Sequence, residues 1–408
     1  MKEMFKRQGQ KMRLSIVSIV SVLFAWSAIR GVWLAFDSAD YMPQFHNVNM
    51  LVWYLCLPFG ILVILVSQHS KISKKDFTAI IIPFTFFLMR MLNSYKDESI
   101  MLGITATILI SMYMCFNDEY KVKIFDLVYW IVQILNVIAL FTWVCYVFNI
   151  NIGFDRVPYY FLGAWERGVY YIKWGIFAIY NNNNMFNRLC SIFNEPGGLG
   201  TLLAFLFVIR FSKSKLWEKV LLITTGIFTF SLAFYLMIFT YAALYLIKKD
   251  KKYIVLIIAM GIFFINIPNI DWGNPMFNAL ARRMQIMDSG SIAGDNRTNK
   301  SFDQVYERLA DDGKALFGYG HGYSVGSSSS YKSLILEFGY IGFLLMLSQW
   351  LYFSLKYNHE NKDGYILIFM FILSLYQRPR TMQSIYGYVI LFGGIAWLQS
   401  NAVNEEGT

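Results

Sequence analysis

The sequence predicts an all-α integral membrane protein with about 12 transmembrane helices. They form a single polytopic domain over residues 1–408, with two long extracytoplasmic loops at 149–196 and 268–330. Three observations predict this. First, 56% of the residues are apolar and only 15% charged, against about 45–50% and about 25% in soluble domains. That is too little charge to cover soluble surfaces. Second, the apolar residues come in long unbroken runs, not in alternation, which excludes a β-barrel. Third, mean hydropathy is +0.44.

Taken in order, the first run (14–36) follows the basic head MKEMFKRQGQKMR. It is long enough to span and lacks a small-residue cleavage site, so it reads as a retained helix and not a signal peptide. Runs at 48–66, 77–92, 100–116 and 124–148 follow. After the first long loop come 197–211, 220–233, 234–247 and 253–267, and after the second 331–353, 364–376 and 383–399. Several are shorter than the roughly 20 residues that cross a bilayer. The stretch 220–247 reads as two short helices or as one tilted one.

The loops orient the chain. The basic head should be cytoplasmic. Alternation then puts KISKK (71–75), KVK (121–123), KSKLWEK (213–219) and KKDKK (248–252) on the same side, provided 220–247 is two helices. Both termini are cytoplasmic on this plan, and both long loops face the exterior. The net charge of +10 is thus a matter of topology, and no nucleic-acid partner is expected. Cys56, Cys115, Cys145 and Cys190 show no paired spacing, so neither a disulfide framework nor a zinc site is supported.

The two cations segregate. On this topology the inside holds 17 lysines but only Arg7, Arg13 and Arg210, while the outer side holds 11 arginines and 5 lysines. The positive-inside rule is served by any cation and does not explain arginine on the opposite face. Guanidinium forks bind phosphate or carboxylate through paired hydrogen bonds. An exterior polyanion site, for a diphosphate, is therefore expected. The plainer account is that these arginines pair with exterior carboxylates such as Asp155, Glu166, Asp271, Asp295, Asp303 and Glu307.

Three stretches bear chemistry. Arg188 to Thr201 closes the first loop and opens a helix. Pro196 suits the first helical position, and Glu195 sits where the helix dipole favours a negative charge, as a cap or as a base. Gly197, Gly198 and Gly200 permit close approach. In the second loop Asp295-Asn-Arg297 precedes Leu316-Phe-Gly-Tyr-Gly-His321-Gly, followed by Tyr331-Lys-Ser-Leu-Ile-Leu-Glu337-Phe-Gly339-Tyr-Ile-Gly342. The glycines read as a tight turn toward the bilayer, and Glu337 as an ionisable residue near the outer end of a helix. His321 stands in a glycine frame as a candidate base, with plain surface as the bland alternative. Third, Gln377-Arg378-Pro-Arg380 joins the last two spans. Arg30 and Arg90 pose the same question as this pair: lipid phosphate, or the arginine site. Outer-loop Trp165, Tyr170, Tyr171 and Trp174 suit the headgroup belt or stacking on sugars.

These residues resemble the bacterial O-antigen polymerase (Wzy-type) and ligase superfamily. The likeness is carried by Phe193-Asn-Glu195-Pro-Gly, by Thr229-Phe-Ser231 between two short helices, and by Arg297 with Leu316-Phe-Gly-Tyr-Gly-His-Gly and Tyr331 to Gly342. The motifs cover 190–345 and the hydropathy plan the whole chain. The resemblance implies a GT-C-like membrane glycosyltransferase, with no bound metal or cofactor, in the bacterial plasma membrane. It would join undecaprenyl-diphosphate-linked oligosaccharide repeat units at the outer face, by inverting transfer, into O-antigen of lipopolysaccharide, capsule or exopolysaccharide. Membrane lipids, a chain-length regulator and a flippase are the implied partners. Glu195, His321 and Arg297 are the catalytic candidates, and Arg188, Arg297, Arg282, Arg283, Arg378 and Arg380 the diphosphate-binding ones. Two departures stand out: an Arg common after Thr-Phe-Ser is Leu232 here, and the ligases' His at the start of the later helix is Ser330-Tyr331-Lys332. The second favours a polymerase over an O-antigen ligase. A transporter or flippase of lipid-linked saccharide is the other alternative, but internal repeats and midplane charges are not seen.

Overall fold

The computed structural model describes residues 2–32, 34–37, 42–67, 80–92, 100–158, 169–182, 186–271, 273, 278, 281–282, 285, 300–323, 330–359 and 361–406. The chain is mostly helical, at 73%. Pro43–Leu65, Asp118–Val147, Leu232–Lys249 and Lys332–Tyr357 are long and apolar enough to cross a membrane. Ile16–Arg30, Ile81–Met91, Ile104–Cys115 and Pro196–Arg210 are apolar but shorter.

The expectation of an all-α chain needs one correction. Part of the first long loop is a four-stranded antiparallel meander, β1 (Asp155–Pro158), β2 (Val169–Trp174), β3 (Phe177–Asn182) and β4 (Phe186–Ser191), paired in that order. The register sets Tyr171 opposite Tyr180 and Ile172 opposite Ile179. Aromatic and β-branched residues favour a half-buried pleated surface, and Gly175, at φ +56°, supplies the turn between β2 and β3.

The described residues form two compact units. The first holds α1 (Lys2–Arg30), α2 (Pro43–Ser67), α3 (Ile81–Leu92), α4 (Ile100–Cys115) and the first half of α5 (Asp118–Val147). It also holds α10 (Lys300–Glu307), α11 (Lys332–Tyr357), α12 (Lys362–Leu375), a 3-10 turn (Pro379–Gln383) and α13 (Ile385–Tyr388), which runs through a π-turn (Val389–Gly393) into α14 (Gly394–Glu406). Trp350 anchors its core and packs on Phe371, Tyr388 and Phe392. The widened π-turn lets Gly393 come against Tyr113 and Phe125.

The second unit holds the later half of α5, the sheet, α6 (Pro196–Arg210), α7 (Leu216–Phe228), α8 (Leu232–Lys249) and α9 (Tyr253–Asn266), joined by residues 34–36. Pro196 to Ile209 of α6 are all buried. The 220–247 stretch is indeed two helices, parted at Thr229–Ser231. Phe230 there takes φ +46°, and Ser231 caps α8 by accepting the Phe234 N–H. Gly200 of α6 lies against the Ser231 and Thr229 side chains, so its missing side chain makes room for them. All four cysteines are free and buried.

Candidate functional site

The glycine-framed loop and α11 interlock through their backbones. At Gly339, φ is 68° and ψ 179°, and the helix breaks there. An unbroken helix would pair the carbonyls of Leu336 and Glu337 with the N–H groups of Tyr340 and Ile341, four residues on. Here the loop takes over both halves of those bonds. Tyr319 N–H donates to Leu336 O (2.8 Å) and Gly320 N–H to Glu337 O (3.0 Å). Tyr340 N–H donates to Ala315 O (2.9 Å) and Ile341 N–H to Leu316 O (3.2 Å). Each backbone group orphaned by the break thus finds a partner, as burial demands.

Glycine is required on both sides of this crossing. Gly318, at φ +73°, lies against the Glu337 carbonyl. Gly339 lies against the backbone of Leu316 and Phe317. The loop is braced further by the Tyr319 hydroxyl, which donates to Asp312. Tyr319 also stacks on Tyr323 at 4.4 Å. Loss of hydration and the Asp312 bond push the Tyr319 phenol up to about 12, so it remains a donor at neutral pH.

The interlock carries His321 to Glu337. The Glu337 carboxylate is 4% exposed; its Oε2 lies 2.9 Å from His321 Nδ1. Its Oε1 accepts from Arg380 Nη2 at 3.2 Å. Arg380 comes from the 3-10 turn and is 53% exposed. The His321 ring, 12% exposed, stacks on Phe338. A carboxylate at Nδ1 holds a proton there and fixes the orientation of the ring. The cluster thus has an oriented imidazole, a buried carboxylate that stabilises imidazolium, and a guanidinium reaching toward solvent. Arg378, at the start of the same turn, donates its backbone N–H to Ser374 O at 2.8 Å.

Sequence reasoning singled out Glu337 as ionisable but gave it no role among the catalytic candidates. Its partners lie 16 and 43 residues away; the break in α11 docks the loop that carries His321, and the 3-10 turn brings Arg380.

The remaining candidates fall in the second unit or outside the described residues. Arg188, on β4, donates from Nε to Thr229 O (2.9 Å) and from Nη2 to Phe230 O (3.1 Å). Its guanidinium lies over the Tyr180 ring at 5.8 Å. Two of its five N–H groups therefore satisfy carbonyls at the end of α7, an anchoring use of the fork. Glu195 takes the N-cap position of α6 with Pro196 behind it, yet its side chain makes no cap bond. Its carboxylate is therefore not consumed by the helix amides. Arg282 is exposed. The Asn278 amide, the Gly273 N–H and the Arg282 charge hold the Asp271 carboxyl below its usual range. Arg283 and Arg297 lie outside the described residues.

Comparison with known protein families, curated proteins and solved structures finds no match.

Proposed function

We propose that this chain is a membrane glycosyltransferase of the O-antigen polymerase kind, acting on polyprenyl-diphosphate-linked oligosaccharides at the outer face of the plasma membrane. The observation that carries the reading is the His321–Glu337–Arg380 cluster at the break in α11. A hydroxyl of one repeat unit gives its proton to His321 Nε2 as its oxygen bonds to the anomeric carbon of a second glycan. The bond from that carbon to the diphosphate breaks, its electron pair leaves on phosphate oxygen, and configuration inverts. Glu337 keeps the imidazole oriented and balances its charge. Arginines stabilise the departing diphosphate; losing one such preorganised donor costs about 10²–10³ in rate. Arg380 and Arg378 are the candidates beside the base. His321 thereby displaces Glu195 as first candidate for the base. The twelve-span plan, with both termini cytoplasmic, belongs to this proposal.

One observation favours the ligase as a second reading. The sequence places His321 ten residues before α11, but the interlock brings it onto the first turns of that helix, where the ligases' histidine is expected. A single assay separates the readings. Purified protein in liposomes with a lipid-linked repeat unit is expected to yield a glycan ladder and free polyprenyl diphosphate. A ligase yields no ladder from this substrate alone, and a flippase releases no diphosphate. Absence of both products would refute polymerisation.

A further inference from the structure

The tip of the loop that carries His321 has a feature that the proposed reaction does not use. Leu316 and Phe317 are 57% and 65% exposed, two large apolar side chains side by side on a turn. Asp311, Asp312 and Lys314, just before them, are exposed as well. The Gly318 N–H closes the turn by donating to Lys314 O at 2.7 Å. The crossing hangs the turn on α11, where Tyr340 N–H donates to Ala315 O and Ile341 N–H to Leu316 O. Three successive carbonyls of the tip, those of Lys314, Ala315 and Leu316, thus have their donors.

The place of attachment indicates a partner. Leu316 and Phe317 are tied to the head of an apolar surface that runs along α11. Tyr340, Ile341, Leu344 and Leu345 are all exposed, and their spacing of four sets them on one face. This helix is long and apolar enough to cross a membrane. Its segment from Tyr340, just past the break, to Lys356 in its last turn rises about 24 Å at roughly 1.5 Å per residue. That is close to the roughly 30 Å of a bilayer's hydrocarbon. With Lys356 at one edge of the hydrocarbon, the break at Gly339 falls near the other. Irregular backbone is tolerated at such a depth only where its polar groups are paired, and the crossing pairs those of the tip. Moving the two side chains out of water is favourable, and acyl chains beside α11 are the apolar medium continuous with its exposed face.

We infer that Leu316 and Phe317 enter the acyl chains at the edge of the bilayer, as a wedge hung on α11. Asp311, Asp312 and Lys314 stay at the level of the headgroups, with the lysine stem lying along the apolar boundary. The loop that carries His321 is thereby tied to the membrane surface. The inference stands whether or not the chain transfers a glycan. Phe317→Cys is labelled with a nitroxide in the full chain and reconstituted into vesicles of phosphatidylcholine and phosphatidylglycerol. Leu344→Cys and Asp311→Cys are the references, and the unsubstituted chain, whose cysteines are buried, is the blank. Power-saturation EPR compares collisions with oxygen, which concentrates in hydrocarbon, and with a water-soluble nickel chelate. Oxygen is expected to dominate at 344 and nickel at 311. At 317 oxygen is expected to dominate, by a smaller margin than at 344. Nickel dominating at 317, as at 311, would place the tip in water and overturn the inference. So would few collisions with either reagent at 317, which would mean that protein, such as a second copy of the chain, covers the tip. Nickel dominating at 344 would overturn it too, because α11 would then not face lipid. If Phe317→Cys does not stay monodisperse, Leu316→Cys replaces it, and the same outcomes decide.

Discussion

Glu337→Gln is expected to lower glycan-ladder formation by about 10²–10⁴ while the protein remains in the membrane at wild-type level. Glutamine fills the same volume, so the packing around the break in α11 survives. It lacks the negative charge that stabilises imidazolium, and its amide can face Nδ1 with N–H, which would move the ring's proton to Nε2 and silence the base. His321→Ala should fall to the same level, and the double variant little further, because residues that act as a unit do not add. Initial rates with a lipid-linked repeat, at matched protein, measure this. If Glu337→Gln retains the wild-type rate, the cluster is structural and the base lies elsewhere, with Glu195 next in line.

The largest effect on stability is expected from Gly339→Ala. The backbone there adopts φ 68° and ψ 179°, a combination essentially confined to glycine and costing on the order of 1–3 kcal/mol for other residues. An added Cβ also runs into the Leu316 and Phe317 backbone. The loop would be expelled, and the four bonds that replace the helix's own would be lost with it. The combined cost is on the order of 3 kcal/mol or more. Thermal unfolding in detergent should show a clear fall in midpoint, and limited proteolysis should cut within 310–323 far faster than in wild type. Gly261→Ala is the matched control. It lies on α9 with open space around it, so alanine there should be neutral or slightly stabilising.

What the sequence disclosed, it disclosed through period and composition. Long apolar runs mark the helices, and the basic clusters at 213–219 and 248–252 argued for the division of 220–247 that Thr229–Ser231 makes. The sheet was harder to see. Val169-Tyr-Tyr-Ile-Lys-Trp is rich in aromatics, and such residues suit a membrane belt as well as a strand, so composition alone does not decide. Arg188 was visible as an arginine in the right kind of place, but its pairing with two carbonyls about forty residues away depends on the β4–α7 packing. The His321–Glu337–Arg380 cluster depends on a long-range crossing of two backbones. The glycines at 318, 320 and 322 read as a tight turn in the sequence, which does not say that Gly318 and Gly339 each lie against the other's segment.

The four cysteines have a practical consequence. Cys56, Cys115, Cys145 and Cys190 are all buried, and loss of hydration pushes the Cys190 thiol well above its ordinary range, far from the reactive thiolate. An impermeant maleimide should therefore find a silent background on the folded chain, with no need to engineer the native thiols away. One cysteine at exposed Asp155 and another at exposed Asp311 would then report, in intact cells, whether the two long loops look out on the same compartment.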